Sequence, residues 1–221
     1  MRTLLSGDQD VTFTDSATEA VVRIWTAFGA DVDHARTGGW LVIVSPSRWM
    51  LRAGSSSMRR GASRRRFLPT AALPVHLAGE RVIPHIQLRL DYDAEYLSWL
   101  FAHLSSLGFP LSHRIVRRAG RVIGCYVYFR RETARLIHLA AAARQAEGVF
   151  ADFAAHARGH GALALAGRVE PNLDEPLRRR MAAISLTQRP LIHARDPRLR
   201  AVLGSSAAVV TEMDLIDSEW W

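Results

Sequence analysis

Residues 118–148 read RAGRVIGCYVYFRRETARLIHLAAAARQAEG, and the way this stretch folds decides how the chain is built. Two β-rich runs, residues 113–118 and 121–129, flank Ala119-Gly120, where glycine can supply the positive φ of a tight hairpin turn. The second arm is apolar on both faces, as a central strand requires. ARLIHLAAA (134–142) is a further strand. After it, Val149, Phe150, Phe153, Ala154 and Ala157 recur at helical spacing, up to a stop at Gly159 or Gly161.

Working outward, HIQLRLDYD (85–93) reads as a strand, and Asp93 caps a helix whose apolar face is Leu97, Leu100, Phe101 and Leu104. On the other side ALALAGRVE (162–170) is a strand, and Asn172 with Glu175 caps a short arginine-rich helix. Two last strands lie around LTQRPLIHARD (186–196) and AAVVTEMD (207–214). Residues 85–221 thus run β-α-β-β-β-α-β-α-β-β. That order predicts an α+β fold, a mixed central sheet flanked by helices.

Residues 1–46 form a shorter series of strand, helix and strand. Val11 and Phe13 alternate with polar neighbours. Ser16 and Glu19 have the spacing of a capping box, and Val21, Ile24, Trp25 and Phe28 follow at helical spacing to Gly29. GGWLVIVSP (38–46) is a strand closed by Pro46. Asp10 to Pro46 echoes Gly161 to Pro197: each segment runs strand, helix, strand, over equal lengths, to an X-Pro end. Between the two series the pattern dissolves. From Arg48 to about Arg81 the chain is rich in Ser, Gly and Arg and reads as a linker, so three segments are expected: 1–46, 47–84 and 85–221. Arg59, Arg60, Arg64, Arg65 and Arg66 could grip phosphate or a membrane surface; the plain alternative is a solvated, self-repelling linker.

Composition narrows the function classes. The chain has 221 residues, nearly half apolar and under a quarter charged, enough for a sizeable core. No apolar run approaches the ~20 residues of a bilayer span, and the N-terminal apolar run is too short for a secretory signal. With its single cysteine, Cys125, the chain is expected in a reducing cytoplasm. A net charge of +8 suggests nucleic acid, yet all 29 basic residues are arginine and none is lysine. That pattern fits coding bias, and the aromatic interleaving of single-strand binders is missing, which argues against a nucleic-acid partner. A homo-oligomer is compatible with the sequence.

The order of elements over 85–221, with the A-G-R-V-I-G hairpin (119–124) followed by strand, helix, strand, helix and hairpin, resembles the GNAT N-acetyltransferase superfamily. TDSATEAVVRIWTAFGA (14–30) resembles the late helix of a preceding GNAT unit, so residues 1–46 look like the tail of a first unit in a tandem pair. The resemblance implies acetyl-CoA or another acyl-CoA as co-substrate, lying in a notch where two parallel strands splay, and an unknown amine as acceptor. The pantetheine would pair with main-chain groups near Leu139, Ala140 and Ala141. The pyrophosphate would rest on the amides opening the next helix, which carry about half a positive charge. The family loop has the form (R/Q)-x-x-G-x-(G/A); here Arg144, Gln145, Ala146, Glu147 and Gly148 stand in its place. Counted from Arg144, Glu147 occupies the glycine position; counted from Gln145, Gly148 fits but Phe150 takes the second small position. A carboxylate ~4 Å from pyrophosphate repels it by about 1 kcal/mol in water and by more where water is scarce.

By position His138 matches the strand residue that serves the family as base; alternatively it packs. No tyrosine follows Tyr128, so the family's usual acid has no counterpart. Asn172 matches an asparagine that contacts the cofactor, and equally reads as an N-cap. The rival to an acyltransferase is a catalytically silent GNAT-like scaffold or partner-binding domain. No metal is expected: His156 and His160 have i, i+4 spacing, but HARGH carries no acidic partner and ends at glycines. Cys125, inside an apolar strand, reads as a core residue. The two tryptophans of DSEWW (217–221) either pack or face a partner.

Overall fold

Leu111–Arg118 (β5) and Arg121–Phe129 (β6) pair antiparallel across Ala119 and Gly120, whose φ values are 49° and 78°. Two successive positive φ angles give the turn whose twist matches that of its strands. Thr133–Ala141 (β7) adds antiparallel on the other side of β6. As a central strand β6 is buried from Gly124 to Phe129. The structure, a computed structural model, describes residues 10–14, 17–33, 37–54, 88–89, 94–142, 144–185, 190–203 and 208–209.

Alternate side chains of β6 serve two helices. Tyr126 and Tyr128 pack under Val149, Phe150 and Phe153 of Ala146–Gly159 (α4), while Val127 and Phe129 meet Leu97, Leu100 and Leu104 of Ala94–Ser106 (α3). Each such side chain fully buried contributes about 1.5–3 kcal/mol, so these two layers hold the sheet. Cys125 lies in the same strand, and burial pushes its thiol up to about 11; it is an inert core residue.

Beyond β7 the sheet takes up Ala164–Arg168 (β8), which runs parallel to it. Gly39–Ile43 (β3) then pairs antiparallel with β8, and Ala183–Ser185 (β9) antiparallel with β3. The order is β5-β6-β7-β8-β3-β9, a mixed, mostly antiparallel sheet flanked by helices, as expected of an α+β fold. In a second sheet Leu191–Ala194 (β10) lies antiparallel between Val11–Thr14 (β1) and Asp31–Val32 (β2). Leu88–Arg89 (β4) pairs parallel with Ala208–Val209 (β11). Among the described residues no helix is long and apolar enough to cross a membrane.

The echo noted in the sequence takes an unexpected form. The strand starts Val11, Asp31 and Gly39 are followed by Ala164, Ala183 and Leu191 at spacings of 153, 152 and 152 residues. The third strand of each series sits between the first and second strands of the other, giving β8-β3-β9 and β1-β10-β2. This is strand exchange within one chain, built as a swapped dimer builds it between chains. Residues 1–46 and 85–221, separate units in the sequence reading, therefore share both sheets. Trp40 of β3 fastens the exchange: it is buried, donates its indole N–H to Arg168 O at 2.7 Å and meets the Phe150 ring at 5.5 Å.

Other boundaries move. Thr18, rather than Ser16, caps Glu19–Ala27 (α1): Val21 N donates to its hydroxyl, and Ser16 lies outside the described residues. Only Trp25 of the predicted apolar face is buried, while Ile24 and Phe28 are exposed. Pro46 does not end a strand; it opens the helix Pro46–Gly54 (α2), where proline's missing N–H costs nothing. Part of the expected linker is thus helical. With Met50 and Leu51 exposed, α2 has no buried stripe and left no readable period. Ala183–Ser185, Asp31–Val32 and the helix Pro197–Leu203 (α6) were too short to read. Asp93, the arginines at 59–66 and DSEWW lie outside the described residues.

Candidate functional site

The parallel pair parts early. β7 and β8 are bonded only at Thr133–Ala164, Ala134–Leu165 and Arg135–Ala166. Directly afterwards the β6–β7 register shifts, from Tyr128 opposite Leu136 to Val127 opposite His138. Ile137 is thereby the extra residue of a β-bulge, a device that bends a strand and takes main-chain groups out of the ladder. The strands diverge around a shallow notch lined by Leu136, Ile137, His138 and Leu139 on β7 and by Arg168, Glu170, Asn172 and Leu173 opposite.

The far wall is charged and braced. Arg168 is buried, and its guanidinium donates to Glu170 Oε1 from Nε and Nη2 at 3.2 and 3.1 Å. A buried arginine needs such a partner. Asn172, in the 3₁₀ turn Pro171–Leu173, reaches across the notch and donates from Nδ2 to Leu139 O at 3.3 Å. Asn172 is therefore a strap to β7 and not the expected cap; the helix Asp174–Arg179 (α5) starts after Leu173 with no side-chain cap.

His138 lines the notch. Burial lowers its pKa to about 4, so the ring is neutral at pH 7. The unfolded chain, titrating near 6.5, binds the extra proton between those two values. Stability is consequently full above pH 6.5 and declines as the pH falls toward 4, by at most about 3 kcal/mol. Urea unfolding at pH 7 and pH 4.5 should show His138→Gln losing less stability on acidification than the native protein. Equal losses would remove the burial argument.

The loop residues lie past the strand end. Ala140 and Ala141 pair with Cys125 and Gly124 of β6 and do not line the notch. Arg144 takes a left-handed φ of 63°, and Gln145 precedes α4 without a side-chain cap bond. The first amides of α4, at Ala146, Glu147 and Gly148, accordingly lack a side-chain cap at the splayed end of β7. Gly148 leaves ordinary space: a Cβ there would meet Ile123 at 3.8 Å and Gln145 at 4.0 Å.

Glu147 is not a bare charge. Arg180 donates to its two carboxylate oxygens at 2.8 and 2.9 Å, also bonds Pro176 O at 3.0 Å, and lies 4.8 Å over the Phe150 ring. Sequence spacing missed Arg180, 33 positions away, although a carboxylate in that place called for a cation. Trp40, Arg168 and Glu170 were missed for the same reason: each matters through a partner on another element.

No family model matches the chain, and no curated protein matches it. A solved structure of a functionally unknown conserved protein from Staphylococcus epidermidis ATCC 12228 is similar over 87% of this chain and 76% of that one. The TM-score is 0.48 and the identity 9%.

Proposed function

We propose that the chain is an acyl-CoA-dependent N-acyltransferase of GNAT type, binding its thioester substrate in the β7–β8 notch and passing the acyl group to an amine. The observation that carries this reading is the bulge at Ile137, placed where the large sheet's only parallel pair among the described residues parts. Main-chain groups freed there suit a polarised thioester carbonyl. The open amides of α4 suit the pyrophosphate, and the Arg180–Glu147 pair cancels the charge that would otherwise repel it.

In the reaction the amine nitrogen attacks the carbonyl, the C–S bond breaks, and CoA leaves as a thiol after taking a proton. His138, neutral throughout the physiological range, is assigned as the acceptor of the amine's proton. A base this weak serves because the nitrogen becomes far more acidic once it has added to the carbonyl.

One observation favours the rival, a silent module: Asn172 already occupies Leu139 O, a main-chain acceptor that a pantetheine arm would use. Calorimetry with acetyl-CoA and a longer acyl-CoA separates the two readings. Saturable heat is expected, and its absence at millimolar ligand would establish the silent module. If ligand binds, Arg180→Ala should weaken it about tenfold by leaving Glu147 unpaired, and Glu147→Gln in that background should restore it. Unchanged affinity in Arg180→Ala would place the pyrophosphate elsewhere.

A further inference from the structure

Away from the notch, Tyr126, Asp152, His156 and His160 form a chain of polar contacts between β6 and the outer half of α4. The Tyr126 hydroxyl donates to Asp152 Oδ1 at 2.7 Å and lies 3.0 Å from His156 Nδ1. Asp152 is also reached by Arg114 Nε at 3.5 Å. A hydroxyl has one proton to give. With that proton on Asp152, the contact to His156 requires the imidazole to donate Nδ1–H to the phenol oxygen. Nε2 of His156 is then a bare lone pair, and it faces Nε2 of His160 at 3.1 Å.

This is the support that metal-binding histidines receive. A carboxylate acting on the non-ligating nitrogen fixes the tautomer and aims the other nitrogen outward; here the phenol relays it. The geometry points to a site for a divalent first-row transition-metal ion (Cu²⁺, Ni²⁺ or Zn²⁺) between His156 Nε2 and His160 Nε2, completed by water. Metal–nitrogen bonds of about 2.0–2.1 Å across the 3.1 Å separation give a ligand–metal–ligand angle of about 95–100°, between square-planar and tetrahedral. The metal takes the place of the one proton now shared by the two Nε2 atoms, and His160 carries its own proton on Nδ1 instead. His160 is exposed just past the last turn of α4, so its ring has room to turn toward the ion.

The sequence hid this because the acid is not in HARGH. Asp152 sits one turn earlier and acts through a tyrosine on another strand. No group of three or more histidine, cysteine, aspartate or glutamate side chains placed for a metal occurs among the described residues. With two protein ligands, and with Arg114 and Arg130 adding positive charge nearby, affinity should be micromolar rather than nanomolar.

The test is calorimetric titration of the full chain, free of any polyhistidine tag, with the chlorides of Cu²⁺, Ni²⁺, Zn²⁺ and Mg²⁺. One-to-one binding is expected for the first three, tightest for Cu²⁺, with none for Mg²⁺. His160→Gln, at an exposed position that leaves the fold intact, should weaken Cu²⁺ at least tenfold. Tyr126→Phe keeps both ligands and should weaken it by about tenfold through loss of the tautomer lock. The Cu²⁺ electron-spin spectrum should show coupling to two nitrogens in the native protein and to no more than one in His160→Gln. Binding undiminished in His160→Gln, or no saturable binding at millimolar metal, overturns the site.

Discussion

Residues 85–221 produced without residues 1–46 should give no cooperatively folded protein. The truncated chain would lack β3, the strand standing between β8 and β9 and bonded to both. Its loss exposes the edge of β8, leaves β9 without its partner and removes Trp40 and Val42 from the core. β10 would equally lose both of its neighbours, β1 and β2. Truncating a buried tryptophan alone costs about 3–5 kcal/mol, so Trp40→Ala in the full chain should show that much. Losing the whole strand adds its ladder bonds and Val42 to that loss, against the roughly 5–15 kcal/mol that holds an ordinary domain together. Urea unfolding of the fragment, followed by tryptophan fluorescence, should be shallow and without a midpoint. Co-expression with residues 1–54 should restore a cooperative transition. A sharp transition in the fragment alone would mean that the strand exchange is dispensable.

Gly124→Ala should destabilise the protein by about 3 kcal/mol or more, at the upper end of what overpacking costs, and loosen the start of α4. Gly124 faces Ala141 at the end of β7, directly beneath the first turns of that helix. A Cβ there would lie 2.3 Å from Ala140 O and 2.6 Å from Val149 Cγ2. The side chain can yield, but the carbonyl belongs to a strand bonded into the sheet. Hence Val149→Ala in the same chain should recover only part of the loss. Because α4 is held against the sheet here, the acyl-CoA binding we propose should weaken along with stability. Full recovery in the double variant would mean that the strand shifts freely and that the close approach is incidental.

Much of the large sheet could be read from residues 85–170. Ala119-Gly120 announces a hairpin turn, the unbroken apolar run in β6 announces a central strand, and the spacing from Val149 to Ala157 announces the helix that covers it. These are local signals, since turn geometry and periodicity act over a few residues. The candidate site was legible only as a place. His138, Leu139 and Asn172 do meet at one notch, yet their partners were not foreseeable. Asn172 has the look of a cap, and the geometry turns it into a strap. Glu147 has the look of an obstacle, and Arg180 neutralises it. Even the pair in HARGH acquires its acid from the preceding turn, by way of β6.

The sequence by itself determined the α+β class, the hairpin, the central strand and the likeness of residues 10–46 to residues 161–197, because each rests on contacts between near neighbours in the chain. Only the tertiary structure decided which strand pairs with which. The two segments carry the same pattern, so either third strand presents an acceptable edge and apolar face to either sheet. The choice of the exchanged arrangement lies in contacts such as Trp40 with Arg168 and Phe150, between residues more than a hundred positions apart, which no local pattern records.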